Sequence, residues 1–244
     1  SLTPEVEDRV SSLKEGKNFD FIMEDINNLI RNFEDFSYTI VGFKDCADVY
    51  VINTCSVTNN ADKKARKIIR SIKKRSPIAK IVVIGCYAQL KPDEIAQIPG
   101  ITLVIGTQEK FNLPKHLEQI KGINEKKVIY SDIKNTNSFV PSFSLGYRTR
   151  SYLKVQDGCD YTCSYCTIPL ARGKSRSGSI KQIVAEAQKI ADTGTCEIVL
   201  TGVNIGDFGV NNGESFYKLI ESLDQIKGIE RYRISSIEPN LLTD

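Results

Sequence analysis

The first half of the chain alternates between helical and extended patterns of apolar residues. Apolar side chains recur at helical spacing from Phe21 to Phe33, which predicts an amphipathic helix. Continuous apolar runs, typical of strands buried in a parallel sheet, lie at 39–41, 49–53, 80–85, 101–106 and 127–131. Helices are predicted between them, over 58–75, from Pro92 onward and near 109–121. This alternation predicts an α/β domain with an open, mostly parallel sheet.

A second set of strands and helices follows a stretch without periodicity. Residues 132–150 are rich in Ser, Asn and Thr and contain Pro141, as is typical of an interdomain linker. Strands are then predicted at 151–156, 197–202 and 231–237, with helices at 180–191 and 214–227 between them. We interpret these elements as successive βα units of a (β/α) partial barrel, whose loops gather at the carboxyl ends of the strands.

These patterns divide the chain into four segments. Residues 1–37 are predicted to be an atypical N-terminal helical segment, 38–131 an α/β domain, 132–150 a linker and 151–244 a partial barrel. A complete (β/α)₈ barrel needs about 250 residues, so this one is incomplete at its C-terminus. Its last strand is left as an open edge, which proteins generally avoid. We therefore expect the chain to be part of a longer protein.

Composition and charge restrict the possible classes of protein only slightly. The 244 residues are 41% hydrophobic and 26% charged, which is ordinary for a soluble globular protein. No stretch approaches the roughly 20 apolar residues of a membrane span, and the polar N-terminus has no signal-peptide core. We therefore expect a cytoplasmic protein without a membrane partner. The net charge of +3 is too small to indicate a nucleic-acid partner by itself.

The positive charge is concentrated in the helix predicted over 58–75. Its basic residues, against the single acid Asp62, are Lys63, Lys64, Arg66, Lys67, Arg70, Lys73, Lys74 and Arg75. A basic stripe of this density is typical of a surface that binds RNA phosphates, and a solvated helix face is the alternative. Because the helix begins soon after Cys55, we favour contact with RNA beside a site at that cysteine.

Three cysteines lie in one short loop after a predicted strand. Cys159, Cys163 and Cys166 stand in the stretch QDGCDYTCSYC. An odd number of thiols cannot all form disulfides, and nothing beside the loop supplies the fourth ligand of a structural zinc site. Iron–sulfur clusters are also held by thiolates, usually four, so three would leave one iron open to an outside ligand.

The motifs around this loop resemble those of a known family. The CxxxCxxC spacing, with Tyr165 before the last cysteine, resembles the cluster-binding loop of radical S-adenosylmethionine (SAM) enzymes. The stretches TIPLARG (167–173), NTCSVT (53–58) and GCYAQL (85–90) resemble a narrower group, the radical SAM methylthiotransferases. From Tyr38 onward, the likeness is greatest to enzymes that act on threonylcarbamoyladenosine in tRNA. The resemblance implies SAM and a [4Fe–4S] cluster, held by the three loop cysteines, as cofactors.

The resemblance also implies roles for residues outside the cysteines. In the family, the later barrel loops hold the amino-acid and ribose parts of SAM. This implies cofactor binding by Asn204, Asp207, Ser235 and Glu238, with Tyr165 near the adenine. Arg172 and Arg176 either meet phosphates or the cofactor carboxylate, or lie on the surface.

Charge and glycine content support this interpretation of the loops. Lys154, Arg172 and Lys174 border the cysteine loop, so we expect low thiol pKa values there. We expect the glycines of the TGVNIGDFG loop to allow close backbone approach and positive φ; they are Gly202, Gly206 and Gly209.

Two further cysteines end predicted strands of the first domain. VYVINT runs into Cys55 and KIVVIG into Cys86, and the carboxyl ends of neighbouring parallel strands face one crevice. The resemblance implies that both are ligands of an auxiliary cluster, although a cysteine more often packs as a small apolar residue. The family's third ligand comes from a first strand near the N-terminus, and residues 1–37 contain no Cys.

Cys46 and Cys196 do not replace that ligand. Cys46 stands nine residues before Cys55, and a strand rise of about 3.3 Å per residue puts the two about 30 Å apart. Cys196 precedes a predicted strand, at the end of a barrel that serves stability. We interpret both as structural. The chain is therefore predicted to hold one cluster, or two if another ligand completes the auxiliary site.

The reaction implied by the resemblance begins when the open iron binds SAM and one electron splits the sulfonium. The resulting radical removes hydrogen from the substrate adenine, and a methylthio group is joined to that carbon. The resemblance also implies tRNA as substrate and a flavodoxin or ferredoxin as electron donor, while the oligomeric state stays open. The alternatives are a methylthiotransferase for another tRNA adenine or a ribosomal protein, a zinc-stabilised RNA-binding module, and a non-catalytic adaptor.

Overall fold

The computed structural model describes residues 20–43, 45–54, 59–120, 126–136, 138–144 and 150–241. These residues form two compact units, one running from Leu29 to Asn135 and the other containing the residues up to Asn28 and from Thr136 onward. The first helix, α1 (Asp20–Asp35), contributes to both units and confirms the predicted N-terminal helix. The strand predicted at 39–41 is reduced to an isolated bridge at Ile40.

The first unit is built on a four-stranded parallel sheet. Its strands, in spatial and sequence order, are β1 (Val49–Thr54), β2 (Lys80–Gly85), β3 (Leu103–Ile105) and β4 (Lys127–Ile129). Its further helices are α2 (Asn59–Arg75), α3 (Cys86–Leu90), α4 (Pro92–Ala96) and α5 (Leu113–Glu118), with 3₁₀ turns at Lys110–Asn112 and Ile133–Asn135. All three strand pairs are parallel, so their carboxyl ends lie at one edge. The predicted α/β class is confirmed.

Both faces of this sheet are covered by helices. Ile52 belongs to an apolar cluster with Ile69 and Ile72 of α2, whereas its neighbour Val51 belongs to a second cluster with Phe33 of α1. Successive strand residues point to opposite faces, so a strand buried on both faces must be apolar throughout. This packing is the physical reason for the continuous apolar runs in the sequence.

The second unit combines a four-stranded sheet with a small strand pair. Its strands are β5 (Ser142–Phe143), β6 (Ser151–Lys154), β7 (Gln156–Asp157), β8 (Arg176–Ser177), β9 (Glu197–Thr201) and β10 (Arg231–Ile234). The main sheet has the order β10-β9-β6-β5, in which only β5 is antiparallel to its neighbour, and β7 pairs with β8. β5 lies within the segment predicted as a linker. The parallel order of β6, β9 and β10 agrees with successive βα units of a radical SAM-like fold.

Helices cover one face of the second sheet. These are α7 (Ile180–Ala191) and α8 (Phe216–Asp224), whereas the short helix α6 (Ile168–Arg172) lies in the segment between β7 and β8, and 3₁₀ turns stand at Ile205–Asp207 and Pro239–Leu241. Leu153 and Leu200 of the sheet share an apolar cluster with Ile183 of α7 and Leu219 of α8. No helix in the described ranges is both long and apolar enough to span a membrane.

The opposite face of this sheet carries a buried ion pair. Lys154 follows Leu153 and so points away from α7 and α8, toward Asp25 of α1. Its Nζ lies 2.5 Å from Oδ1 of Asp25, and the two side chains are only 2% and 4% exposed. Lys154 is therefore paired with a carboxylate within the unit rather than with the cysteine loop.

Candidate metal centre

The three predicted cluster ligands lie in the loop between β7 and α6. Cys159 and Cys166 are half-buried, and Cys163 is exposed. The N–H of Cys166 donates to the carbonyl of Cys163 at 3.0 Å, and the N–H of Cys159 donates to the carbonyl of Gly173 at 3.1 Å. The loop thus turns tightly between its last two cysteines, and its first cysteine is bonded to the segment that follows α6.

The buried carboxylate of Asp157 holds the loop against this segment. Oδ1 of Asp157 accepts hydrogen bonds from Nη1 of Arg172 at 3.0 Å and from the N–H of Gly158 at 2.9 Å. Its Oδ2 accepts from Nη2 of Arg176 at 3.0 Å. Arg176 also donates to the carbonyls of Arg172 and Lys174, at 2.6 and 3.1 Å. Both arginines therefore brace the loop, which is neither of the roles considered from sequence.

The loop does not lower the thiol pKa of Cys159. Burial raises the pKa of this thiol, and the negative charges of Asp207 and the other two cysteines raise it further, whereas a backbone hydrogen bond at Tyr161 acts in the opposite direction. Arg172 is paired with Asp157, and Lys174 is exposed. The predicted low pKa is therefore wrong for Cys159. Its deprotonation has to be driven by binding of a metal or cluster.

The donor set of the loop fits an iron–sulfur cluster. Within the described ranges, no three His, Cys, Asp or Glu side chains converge as they would around a single metal ion. The three thiols nevertheless stand within eight residues of one loop, and a backbone hydrogen bond joins Cys163 to Cys166. Thiolates are the usual ligands of such clusters, and the exposure of Cys163 leaves the loop accessible from outside.

Two of the predicted cofactor residues lie beside the cysteine loop and interact directly. Asn204 is buried and donates through Nδ2 to Oδ2 of Asp207 at 3.1 Å, and its Oδ1 accepts from the N–H of Glu238 at 3.3 Å. The pKa of the Asp207 carboxyl is raised by burial and by the charges of Asp160 and Glu238, against the effect of the Asn204 hydrogen bond. The structure therefore brings Asn204, Asp207 and Glu238 together.

The remaining predicted cofactor residues lie at the surface. Tyr165 is 90% exposed, so its ring is available to a ligand. The side chain of Ser235 is exposed, and its N–H donates to the carbonyl of Leu200 at 3.2 Å. Among the glycines of the β9 loop, Gly209 has a positive φ of 80°, whereas Gly202 and Gly206 do not have positive φ. The prediction of positive φ was thus wrong for two of these three residues.

A buried glutamine is the main site residue that sequence reasoning missed. Gln156 is completely buried and contacts both ends of the cysteine loop and the start of the loop after β9. The available signal was a long polar side chain at the end of a buried strand, directly before a cysteine motif. Buried amides are normally hydrogen-bonded, so such a residue indicates an internal network.

In the first unit, the strands that precede Cys55 and Cys86 are neighbours in register. Thr54 pairs with Gly85. Cys86 begins α3 and is half-buried. Gly85 has a φ of 96°, and a Cβ there would lie 2.3 Å from the carbonyl oxygen of Thr54, so only glycine permits this approach. Cys55 itself lies outside the described residues.

The GCYAQL motif ties α3 to its surroundings. The hydroxyl of Tyr87 donates to Oε1 of Glu94 at 3.0 Å, and Arg66 donates to the same carboxylate at 2.5 Å. Gln89 accepts from the N–H of Thr107 at 2.9 Å and donates to the carbonyl of Ser131 at 3.0 Å. These bonds connect the residues after Cys86 with the carboxyl ends of β3 and β4.

Cys46 and Cys196 lie away from the carboxyl ends of the strands. Cys46 precedes β1, whereas Cys86 follows β2, so the two stand at opposite edges of a parallel sheet. Cys196 immediately precedes β9, and its Sγ lies 3.6 Å from the carbonyl of Gly194. Both side chains are exposed.

The structure divides the basic residues of α2 into an exposed and an engaged group. The exposed group is Lys63, Lys67, Arg70 and Lys74. Their spacings of 4, 3 and 4 residues place them along one side of the helix. We call these four residues the basic stripe. The side chain of Lys64 lies outside the described residues.

The engaged group makes contacts within its own unit. Arg66 pairs with Glu94, and Nζ of Lys73 donates to the carbonyls of Pro77 and Ala79 at 2.8 and 3.1 Å. Burial lowers the pKa of the Lys73 ammonium. Arg75 donates to the carbonyl of Phe43 at 2.7 Å. These three cations are less available to an outside partner than the stripe is.

Comparison with known proteins identifies the class and then the family. Residues 21–106 match the uncharacterized protein family UPF0004, and residues 153–244 match the radical SAM superfamily. The cysteine loop on parallel βα units therefore defines a radical SAM protein. A solved structure of the radical SAM methyltransferase TsrM from Kitasatospora setae has a similar fold, with a TM-score of 0.52 at 13% identity over 81% of this chain and 47% of that one.

Similar sequences carry more specific names. A threonylcarbamoyladenosine tRNA methylthiotransferase MtaB from Bacillus subtilis is 41% identical over 87% of this chain, and one from Aquifex aeolicus is 40% identical over 86%. A tRNA-2-methylthio-N(6)-dimethylallyladenosine synthase from Hydrogenobaculum is 35% identical over 81%. The chain belongs to the radical SAM methylthiotransferase family. It spans about half the length of these relatives, namely 48%, 52% and 47%.

Proposed function

We propose that this chain is part of an enzyme that inserts a methylthio group into threonylcarbamoyladenosine of tRNA, near the anticodon. The observation that carries the proposal is the loop of Cys159, Cys163 and Cys166 beside Asn204 and Asp207, at the carboxyl edge of a parallel sheet. The relatives from B. subtilis and A. aeolicus are named for this substrate. The Hydrogenobaculum relative is named for a different tRNA adenine, which is therefore the alternative substrate.

The proposed roles are those that the family resemblance implies for the residues of this site. The three loop cysteines hold a [4Fe–4S] cluster, and SAM is bound by Tyr165, Asn204, Asp207, Ser235 and Glu238. When bound, the cluster and SAM supply the one-electron chemistry that activates an unreactive C–H bond. Asp157 keeps the loop closed through its two arginines. The carboxylates of Asp207 and Glu238 favour a cationic ligand, and SAM carries a sulfonium and an ammonium group.

We further propose that Cys55 and Cys86 are two ligands of an auxiliary cluster. Each follows one of two neighbouring strands, directly after the pair Thr54 and Gly85. The third ligand is not a cysteine of residues 1–37. It is another side chain, a partner's group or a residue outside this sequence.

The basic stripe is the proposed RNA contact. It extends over 12 residues of α2, and the 11 steps between its ends give about 16 Å at 1.5 Å per residue. That length spans a few phosphates of one strand, and α2 begins four residues after Cys55. The proposal also takes the protein to be cytoplasmic, with a flavodoxin or ferredoxin as electron donor.

The test of the enzymatic proposal is iron and acid-labile sulfide per chain after anaerobic reconstitution, with a spectrum of the reduced protein before and after adding SAM. About four irons and a spectrum that responds to SAM are expected if only the Cys159 loop is competent, and about eight if the auxiliary cluster also forms. Zinc without sulfide, or no metal, contradicts the proposal for this chain.

The RNA proposal is tested by changing the stripe. A variant with Lys63→Gln, Lys67→Gln, Arg70→Gln and Lys74→Gln should bind tRNA more weakly. Each lost phosphate contact should reduce the slope of log affinity against log salt by about 0.7 to 0.9. The control is Arg66→Gln with Lys73→Gln, two cations engaged within the protein. Equal slope changes in the two variants would rule out a specific role for the stripe.

A further inference from the structure

A single buried amide joins three backbone segments around the candidate metal centre. Gln156 is 0% exposed. The two hydrogens on its Nε2 are shared among three acceptors, Asp157 O at 3.1 Å, Gly158 O at 2.8 Å and Ser175 Oγ at 2.9 Å. Its Oε1 accepts from the N–H groups of Val203 at 2.8 Å and Asn204 at 3.0 Å. The amino and carbonyl groups of the amide are thus both hydrogen-bonded. A buried amide costs little free energy only when both groups have such partners.

The three segments are those that carry the proposed cluster and cofactor ligands. Asp157 and Gly158 lead directly into Cys159, and Ser175 follows the C-terminal end of the same loop. The N–H of Ser175 also donates to Oδ1 of Asp160 at 3.1 Å. Asn204 is hydrogen-bonded to Asp207. Because one rigid amide contacts all three, a shift of the β9 loop against the cysteine loop breaks at least one of its bonds.

The surrounding backbone is built to admit this amide. Gly202 precedes the two N–H groups that Gln156 accepts from, and a Cβ at Gly202 would lie 3.0 Å from Oε1 of Gln156 and 2.7 Å from Cγ1 of Ile205. A larger residue at Gly202 would therefore push the β9 loop away from the amide. The glycine is explained by this close approach, since its φ is not positive.

We infer that Gln156 is a positioning residue, which fixes the Asn204–Asp207 segment against the cysteine loop and so sets the affinity for SAM. The inference rests on the proposed function for its ligand. Gln156 has no role in holding the cluster itself, because it supplies no thiolate. Its loss should leave cluster assembly intact and weaken SAM binding by about 10-fold to 100-fold, as is typical when a group that orients ligands is removed.

Two variants test the amino group and the carbonyl group of the Gln156 amide separately. Gln156→Met keeps the side-chain length and removes all five hydrogen bonds. Gln156→Glu keeps oxygens that accept from Val203 and Asn204 but loses the donor to the carbonyls of Asp157 and Gly158. The matched control is Gln89→Met in the first unit, which removes an amide that bridges Thr107 and Ser131.

The measurements on the full chain are iron and sulfide content, SAM affinity from the spectrum of the reduced protein, and the melting temperature. We expect Gln156→Met to retain its iron and to lose SAM affinity, whereas Gln89→Met retains both at a similar drop in melting temperature. Equal SAM affinity in Gln156→Met and the unchanged protein, or equal losses in both Met variants, overturns the inference.

Hydrogen–deuterium exchange of the iron-free chain gives a readout that does not depend on the proposed enzyme. In Gln156→Met, faster exchange should be confined to residues 157–160 and 202–209, and in Gln156→Glu it should be confined to 157–160. Uniform acceleration over the second unit contradicts positioning even if SAM binds. If the unchanged chain takes up no iron, the proposed function fails, and the exchange pattern alone decides whether Gln156 holds the two loops together.

Discussion

The candidate cysteine sites of the two units differ in which parts of the chain supply their thiols. In the second unit, the three candidate ligands come from one loop, which is closed by Asp157 and anchored by Gln156. In the first unit, the two candidate ligands follow different strands, β1 and β2, whose register pairs Thr54 with Gly85. A site in one loop needs only local folding, whereas a site between strands needs the whole sheet.

This difference should decide how far each site tolerates change. The polar network beneath the cysteine loop is buried, since Asp157 and Arg176 are both at most 9% exposed. Around Cys86, the corresponding ion pair of Arg66 and Glu94 is about one third exposed or more, at 34% and 42%. Buried pairs are costly to break from one side, and exposed pairs contribute little.

The largest effect is expected from removing a loop cysteine. Cys163→Ala should lower the reconstituted iron content by about four per chain and abolish the spectral response to SAM, because the cluster loses one of its three protein ligands. Cys86→Ala should leave that response intact. Iron content, sulfide content and the reduced spectrum measure both. Loss of the SAM response in Cys86→Ala would mean that the two edges are not independent sites.

The next largest effect concerns the glycine at the entrance of the loop. Gly158 has a φ of 74°, and a Cβ there would lie 2.0 Å from the carbonyl oxygen of Lys174. Gly158→Ala should lower the free energy of unfolding by about 4 kcal/mol, because the backbone strain and the clash with backbone add. Urea denaturation measures the loss.

Two other glycines provide the comparison for Gly158. Gly194 has a φ of 81° with nothing within 4 Å of a Cβ, so Gly194→Ala should cost only the strain of about 1 kcal/mol. Gly85→Ala in the first unit should resemble Gly158→Ala, because its Cβ would also meet backbone, at Thr54. Similar losses at Gly158 and Gly194 would show that close approach does not matter at the loop.

A smaller effect is expected from neutralising the carboxylates of the two networks. Asp157→Asn leaves Arg172 and Arg176 without their buried counter-charge and should destabilise the protein by about 3 kcal/mol. Glu94→Gln, in the more exposed pair, should cost less than about 1 kcal/mol. The free energies of unfolding in urea compare the two directly. A larger loss of unfolding free energy for Glu94→Gln than for Asp157→Asn would contradict this ranking of the two ion pairs.

The smallest effect is a difference in pH dependence. The pKa of Asp207 is raised in the folded state, so its contribution to stability is best at acid pH and declines as pH rises from 3.8 through the folded value. The pKa of Glu109 is lowered, chiefly by a hydrogen bond from His116, so its contribution is present above 4.5 and is lost as pH falls through the folded value.

Melting temperatures over a pH series test these opposite signs. Asp207→Asn should stabilise the protein at about pH 7 more than at about pH 3, because it removes a charge that burial disfavours. Glu109→Gln should destabilise at about pH 7 and have little effect at about pH 3. A change in melting temperature of the same sign for both variants at neutral pH would contradict the electrostatic difference between the two regions.

Much of the fold and of the cysteine loop followed from local sequence patterns. The runs at 49–53 and 80–85 became β1 and β2, and the helix predicted over 180–191 is α7 with the same bounds. Periodicity succeeds here because both sheet faces, or one helix face, are buried. The run at 39–41 formed no strand beyond an isolated bridge at Ile40.

The sequence by itself determined which residues can carry chemistry, because the spacing of the three loop cysteines and the basic density of α2 are local properties of the chain. Only the tertiary structure decided which of those groups are available. It pairs Lys154 with Asp25, Arg172 and Arg176 with Asp157, and Arg66 with Glu94, while the basic stripe stays exposed. Such pairs join residues from different elements, up to 129 positions apart. Their formation depends on packing, which no local pattern of residues encodes.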